Sequence, residues 1–184
     1  NYLYNVYNEQ YNDNDCFSHK VINEAIKVGN IEIVQWLHKR CIFYSYKEIY
    51  TAAKYGMLDI LKWLHKNRTL KVLNTMNNLI ITAQPLNTND RSIVYAAESG
   101  HLHIVKYLCK YKTHKLIVLQ ETINAACKHG YIDVIIFLYS HTNNKQIFSK
   151  FSITYAAECG HLNIIKFIHN TTLQENIKIS NKNA

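Results

Sequence analysis

Glycine and proline are scarce in this chain of 184 residues, which has five glycines and a single proline. Charged residues make up only 18% of the sequence, too few for a disordered polyelectrolyte. No apolar run reaches the roughly 18 residues of a membrane-spanning helix, so we expect no membrane partner. The five cysteines form no Cys-x-x-Cys pair, which argues against a disulfide framework or a zinc ribbon. We therefore expect a cytoplasmic or other reducing intracellular compartment.

The common motifs of catalysis and cofactor binding are also missing. The sequence contains no P-loop, no Gly-x-Gly-x-x-Gly, no His-Glu-x-x-His and no Gly-x-Ser-x-Gly. We predict that the chain is not an enzyme and that it binds no cofactor and no metal. The formal net charge of +8 permits an acidic partner but does not identify one.

All five glycines occupy the same local frame. Each has an alanine four residues before it and an isoleucine seven residues before it. Apolar residues follow at the second, fourth, fifth and eighth positions after it, with an aromatic residue at the seventh. A recurring period of about 30 residues is typical of a solenoid. The glycines are Gly29, Gly56, Gly100, Gly130 and Gly160, and the alanines are Ala25, Ala52, Ala96, Ala126 and Ala156.

This spacing predicts pairs of helices joined at the glycine. The isoleucine and alanine lie three residues apart, on one face of a short first helix. The residues after the glycine form a wide apolar stripe on a second helix of about ten residues. The glycine ends the first helix in a left-handed conformation, which has no Cβ penalty. Ser92, Thr122 and Ser152 stand where they would cap the first helix. A single pair buries too little surface to fold alone, so the pairs must stack in a row.

These residues resemble the ankyrin repeat. The stretch from Tyr95 to Leu108 matches most of the helical half of its pattern, and Gly160-His161-Leu162 repeats the centre of that match. Trp36-Leu37-His38 and Trp63-Leu64-His65 resemble divergent arrays common in large DNA viruses and protists. A viral origin would place the chain in an infected host cell. The Thr-Pro-Leu-His turn of the family is absent. We therefore predict an all-α, ankyrin-type helix-turn-helix solenoid with short or absent β-hairpin fingers.

The repeat frame divides the chain into three parts. Residues 19–170 form the predicted array of five repeats, with an insert at 67–90 that has a short helix near 74–83. Residues 1–18 are interpreted as the remnant of an earlier repeat or a linker, and residues 171–184 as a polar C-terminal segment. The chain opens with Asn1 rather than methionine, so we interpret it as a piece of a longer protein. Further repeats or a capping partner are expected at either end.

The resemblance implies a protein–protein interaction module, a scaffold or adaptor, whose partner binds the concave face. In the family, the variable contact positions lie one, two and ten residues before the glycine. The identities at these places differ between repeats, and Tyr46 and Tyr55 are the best anchors because aromatic residues dominate binding hot spots. Carried over by position, the contact residues are His19, Lys27, Val28, Tyr46, Lys54, Tyr55, Asp90, Glu98, Ser99, Gln120, Lys128, His129, Lys150, Glu158 and Cys159.

An alternative function stays open on the opposite face. The second helices carry lysines that would bind nucleic acid or another acidic surface, unless they form only a solvated face. These lysines are Lys62, Lys66, Lys106, Lys110 and Lys166. The aromatic residues of the second helices are expected in the core rather than in base stacking. Cys127 is expected as a small core residue. His38, His65 and His169 share one repeat position, which indicates stacking rather than metal binding.

Overall fold

The computed structural model describes residues 19–40, 46–67, 91–111, 116–142 and 147–182. In these ranges every regular element is an α-helix, which confirms the predicted all-α class. The helices are α1 (His19–Val28), α2 (Ile31–Arg40), α3 (Tyr46–Lys54), α4 (Leu58–Asn67), α5 (Ser92–Glu98), α6 (Leu102–Tyr111), α7 (Leu116–His129), α8 (Ile132–His141), α9 (Lys150–Glu158) and α10 (Leu162–Lys182). None of these helices combines the length and apolar content needed to cross a membrane.

A glycine with positive φ joins the two helices of every pair, as the sequence predicts. The φ angles are 80° at Gly29, 74° at Gly56, 72° at Gly100, 83° at Gly130 and 76° at Gly160. The residue after the glycine donates its N–H to the carbonyl of the alanine four positions before the glycine. At Gly100, for example, His101 N lies 2.9 Å from Ala96 O, and Gly100 N lies 3.2 Å from Ala97 O. This pair of hydrogen bonds is the Schellman motif, which satisfies the last carbonyls of the first helix.

The helix pairs stack side by side. The first helices, α1, α3, α5, α7 and α9, form a row in which each packs against the next. Each also packs against the second helix of its own pair, and α2 contacts α4 as α6 contacts α8. The core lies between the two helix layers and follows the repeat frame. The frame alanine is buried in all five pairs, so its small side chain lets neighbouring first helices approach closely.

The predicted helix caps differ from the observed ones. Thr122 lies inside α7, which begins six residues earlier at Leu116, and its hydroxyl donates to the carbonyl of Val118 at 2.6 Å. Thr122 is therefore not a cap, and that prediction is wrong. Ser92 is the first residue of α5 rather than its cap. Ser152 contributes from inside the helix, because its Oγ accepts the N–H of Ser149, the residue that precedes α9, at 3.1 Å.

Several expectations fall outside the described residues. These are the N-terminal segment 1–18, most of the insert 67–90 with its short helix, and most of the connections in which β-hairpin fingers would lie. Toward the other end, α10 continues to Lys182 and so passes the predicted array boundary at residue 170. The division of the chain into three parts stays a prediction.

Candidate partner-binding surface

The outward side of the first-helix row is a continuous surface. Positions nine, five and two before each glycine follow an i, i+4, i+7 spacing, so they lie on one face of each first helix. We call these residues, with the residue directly before each glycine, the first-helix surface. All but Ala125 are at least partly exposed. They are Lys20, Glu24, Lys27 and Val28; Lys47, Thr51, Lys54 and Tyr55; Arg91, Tyr95, Glu98 and Ser99; Glu121, Ala125, Lys128 and His129; and Phe151, Tyr155, Glu158 and Cys159.

Side chains of neighbouring repeats meet across this surface. Arg91 Nη2 lies 3.1 Å from Glu121 Oε2, and both side chains are about half exposed. Lys27 Nζ lies 5.8 Å from the centre of the Tyr55 ring, within the range of a cation–π contact. Exposed ion pairs of this kind contribute little to stability. Their significance is that one repeat's side chains reach the next, so a partner would meet a single surface rather than five separate ones.

Most of the sequence-predicted contact residues lie on this surface or beside it. Tyr55 is 42% exposed, which leaves much of its ring available to a partner. The exposed residues of the predicted set are Val28, Lys54, Tyr55, Lys128, His129, Lys150, Glu158 and Cys159; those of intermediate exposure are Lys27, Glu98, Ser99 and Gln120. Asp90 lies outside the described residues, as do the side chains of His19 and Tyr46.

The charged form of Lys27 is stabilised by a hydrogen bond to Glu24. Its ammonium donates to Glu24 Oε1 at 2.6 Å, and this hydrogen bond raises the pKa of Lys27 above its ordinary value. The ordinary pKa of lysine already lies well above neutral pH, and this upward shift moves it further in the same direction. Lys54 and Lys128 occupy the same position in later repeats, and both are exposed. Positions two before Gly100 and Gly160 hold Glu98 and Glu158 instead, so the charge of this position changes sign along the row.

Sequence reasoning identified Tyr55 but missed the other aromatic residues of this surface, Tyr95, Phe151 and Tyr155. The Tyr95 ring lies 5.2 Å, centre to centre, from the ring of Tyr50 in the preceding repeat, a residue outside the defined surface. At the other end of the row, the rings of Phe151 and Tyr155 stack at 6.3 Å, with Lys150 Nζ 5.4 Å from the Phe151 ring. The signal that could have found Tyr95, Phe151 and Tyr155 was present: they stand nine or five residues before a glycine. The family's variable contact positions lie only one, two and ten residues before it, so a carry-over by position does not reach these three residues.

A second set of contacts fixes the register between repeats. The side chain directly after one glycine lies over the glycine of the preceding repeat: Met57 over Gly29, His101 over Gly56, Tyr131 over Gly100 and His161 over Gly130. His101 Nε2 lies 3.0 Å from Lys54 O, and His161 Nε2 lies 3.1 Å from Lys128 O. A carbonyl only accepts, so Nε2 carries the proton in both rings. These contacts hold the backbone that carries Lys54 and Lys128.

Stacking between repeats explains two of the three histidines that share a position on the second helices, whereas the third, His169, is exposed. The His38 ring meets Trp63 edge-on at 4.8 Å, and the His65 ring stacks on Tyr107 at 5.6 Å. Each of these two histidines thus packs on the aromatic residue of the next repeat, as expected. Within the described ranges no group of three or more His, Cys, Asp or Glu is placed to hold a metal ion.

The remaining predictions for the core and the lysine face can be compared with the structure. Trp36, Trp63, Tyr107, Phe137 and Phe167 are partly buried and packed on the core, which confirms their structural role. Cys127 is fully buried, and burial raises the pKa of its thiol to about 12. A protonated, enclosed thiol is a poor nucleophile. On the second helices, Lys62, Lys66, Lys106, Lys110 and Lys166 are exposed, and Lys62 Nζ lies 3.8 Å from Asp59.

Comparison with known proteins identifies the family. The family described as Ankyrin repeats (3 copies) matches the chain in three overlapping stretches, residues 22–118, 49–147 and 94–183. No curated protein sequence matches significantly. The matched stretches run without a gap from residue 22 to residue 183 and include the glycine turns of all five helix pairs. The chain therefore belongs to the ankyrin-repeat family.

Proposed function

We propose that this chain is a non-enzymatic scaffold or adaptor whose protein partner binds the first-helix surface. Ankyrin repeats generally mediate protein–protein interaction, and the first helices line the concave face in that family. One contrast carries the proposal. The frame glycine and alanine are the same in all five repeats, whereas no position of the first-helix surface holds one residue type in all five. Stacking of the repeats requires the frame residues to be constant, whereas it leaves the residues of the first-helix surface free for recognition.

The composition of the surface suits a protein partner. Tyrosines and a phenylalanine supply large, rigid contact area, and residues of this kind dominate the binding energy of interfaces. Tyr55 is the leading anchor because it is exposed and lies beside both Lys27 and Lys54. Lysines and glutamates around these rings would select the partner by charge and speed its association.

Two sets of variants test the proposal. The first carries Lys54→Glu, Tyr55→Ala and Lys128→Glu on the first-helix surface. The matched control carries Lys62→Glu, Lys106→Glu and Lys166→Glu on the second helices. A partner captured from the native cell with the wild-type chain is purified, and its Kd for each chain is measured by calorimetry. We expect the first set to weaken binding by about tenfold or more and the control set to leave it nearly unchanged. An equal loss of affinity in the two sets of variants would contradict the proposal.

The alternative function is nucleic-acid or acidic-surface binding through the second helices. Basic residues occupy the middle and last turns of α2, α4 and α6, whereas acidic Glu32 and Asp59 lie in first turns. A nucleic-acid complex would lose affinity steeply as salt rises, because each phosphate contact releases counterions. Nucleic-acid binding would also be lost in the variant that carries Lys62→Glu, Lys106→Glu and Lys166→Glu. A fluorescence titration with a labelled oligonucleotide at several salt concentrations separates this alternative from protein binding.

A further inference from the structure

Charge is unevenly distributed along the first-helix surface. In the first two helix pairs this surface carries four basic side chains and one acidic one, a formal balance of +3. In the last three pairs it carries two basic and three acidic side chains, a balance of −1 with histidine counted as neutral. These residues are Lys20, Glu24, Lys27, Lys47 and Lys54 in the first two pairs, and Arg91, Glu98, Glu121, Lys128 and Glu158 in the last three. An acidic ligand is therefore attracted to the first two pairs of the row.

An exposed apolar spot lies inside this basic part of the surface. Val28 is 79% exposed and Tyr55 is 42% exposed, and each stands directly before the glycine of its pair. Lys27 and Lys54 precede them in the chain, and Lys27 Nζ lies 5.8 Å from the centre of the Tyr55 ring. We call Lys27, Val28, Lys54 and Tyr55 the basic patch.

The exposure of the basic patch does not come from the end of the row. The same two positions in the fourth pair hold Lys128 and His129, and both are exposed although a helix pair lies on either side. Lys54 and Tyr55 belong to the second pair, whose first helix α3 packs against both α1 and α5. These positions therefore lie outside the joints between repeats.

The two lysines of the patch have N–H groups to offer a partner. Lys27 gives one of its three N–H groups to Glu24, whereas the Lys54 ammonium forms no ion pair or hydrogen bond with a residue in the described ranges. The backbone beneath Lys54 is fixed by the next repeat, because His101 Nε2 lies 3.0 Å from Lys54 O. A site that is fixed in advance loses less conformational freedom when a partner binds.

We propose that the protein partner presents an acidic segment to the basic patch, with carboxylates at its two lysines and an apolar side chain against Tyr55. This inference rests on the proposed function, because it names the chemistry of a partner that binds the first-helix surface. Helices packed side by side lie about 8–10 Å apart, which is the length of about three residues of extended chain. Two acidic residues about three positions apart in an extended segment would therefore reach both lysines.

A polypeptide fits this patch better than a nucleic acid. Glu24 lies beside Lys27 on α1, and Glu98 holds the position of Lys54 in the next pair. A phosphate backbone carries a negative charge at every nucleotide, so it would meet these carboxylates as well as the lysines. A polypeptide can place single carboxylates at the lysines and uncharged or basic residues elsewhere.

Peptide selection on the whole chain tests this inference. Short random peptides displayed on phage are selected on the wild-type chain and on a variant that carries Lys27→Gln and Lys54→Gln. The wild-type chain is expected to enrich acidic peptides that contain an apolar residue, and the double variant is expected to lose the acidic preference. Lys128→Gln is the matched control, because Lys128 is exposed at the same position in the fourth pair. Selection on this control should keep the preference of the wild type.

Fluorescence anisotropy with the most enriched peptide measures the size of the effect. The double variant should weaken binding about fivefold or more, because two charged contacts are lost. Tyr55→Ala should weaken it about tenfold, whereas Lys128→Gln should change it less than about twofold. A peptide whose acidic residues are replaced by lysine should bind a Lys27→Glu, Lys54→Glu variant more tightly than the wild type. Circular dichroism melts establish that each variant is folded.

Three results of these experiments would overturn the inference: enriched peptides that are neutral or basic, no enriched peptide at all, or an equal loss of affinity in Lys128→Gln. A single-stranded oligonucleotide that binds the patch more tightly than the peptide would also overturn it, because the patch would then select phosphates. The captured partner might lose affinity for the Lys54→Glu, Tyr55→Ala, Lys128→Glu variant while no acidic peptide is selected. In that case the proposed function stands and this inference alone fails.

Discussion

At the scale of single residues, the joint between repeats depends on what lies over each glycine. Gly100 combines a φ of 72° with the Tyr131 ring, which a Cβ would meet well inside contact distance. Gly160 has a similar φ but open space. Comparing substitutions at Gly100 and Gly160 therefore separates the cost of backbone strain from the cost of disturbed packing between repeats. A substitution at one glycine normally combines the two costs.

We expect Gly100→Ala to destabilise the chain more than Gly160→Ala. Positive φ costs an alanine about 1–2 kcal/mol at either position. Overpacking against Tyr131 adds about 1–3 kcal/mol at Gly100 alone. Urea unfolding of both variants measures the difference. Tyr131→Ala should cost less in the Gly100→Ala background than in the wild type, because it relieves the clash. Equal costs for the two glycine variants would show that Tyr131 does not press on Gly100.

The frame residues were predictable because each occurs five times at a fixed offset. The repeated isoleucine, alanine and glycine indicate both helices and the turn, and this inference requires no knowledge of the contacts between repeats. The side chain that covers each glycine could not be predicted in the same way. Met57, His101, Tyr131 and His161 share a position, but only the two histidines share a side-chain type. The geometry between repeats is what shows that each lies over the preceding glycine.

At the scale of helices, the first turn of α9 is held by a polar cluster that joins two repeats. Ser152 Oγ accepts the N–H of Ser149 at 3.1 Å and donates to Asn124 Oδ1 at 2.7 Å. Asn124 belongs to α7, so the cluster fixes the start of one first helix against its neighbour. The Ser152 side chain is fully buried, and its loss would leave both partners without this oxygen.

Ser152→Ala should therefore cost about 1–2 kcal/mol, the usual loss for a helix cap or a buried hydrogen bond. Thr154→Ala is the control in the same helix, because Thr154 is exposed and bonds only to Lys150 O within α9. Its cost should be below about 0.5 kcal/mol. Urea unfolding monitored by circular dichroism measures both. A Ser152→Ala variant as stable as Thr154→Ala would rule out a stabilising role for the cluster.

Helix starts were harder to predict than helix faces. The position eight before the glycine is the first residue of α5 at Ser92, the third of α9 at Ser152 and the seventh of α7 at Thr122. The face is set by the repeat frame, which is constant. The start depends on the connection before the helix, and these connections differ in length and sequence.

At the scale of the whole molecule, the same residue type contributes differently to stability at different places in the row. Ile123 and Ile153 occupy one repeat position, but Ile123 is fully buried by the fifth pair and Ile153 is largely uncovered. Stability in such an array is a sum of pair terms and nearest-neighbour terms. The nearest-neighbour contribution to the free energy of unfolding should therefore be measurable by substituting Ile123 and Ile153 in turn.

Ile123→Ala should cost about 2–5 kcal/mol, as expected for a buried isoleucine. Ile153→Ala should cost less, about 1 kcal/mol, because Ile153 is already 44% exposed. Thermal and urea unfolding of the two variants provide the comparison. Similar costs would mean that the fifth pair does not cover Ile123 in the way the structure shows.

The central claim is that a constant buried frame presents the first-helix surface to a partner. Amide hydrogen exchange on the chain, with and without its purified protein partner, tests this most directly. The account predicts added protection in α1, α3, α5, α7 and α9 and in the residues just before their glycines, with little change in α2, α4, α6 and α8. Protection concentrated in the second helices would contradict it.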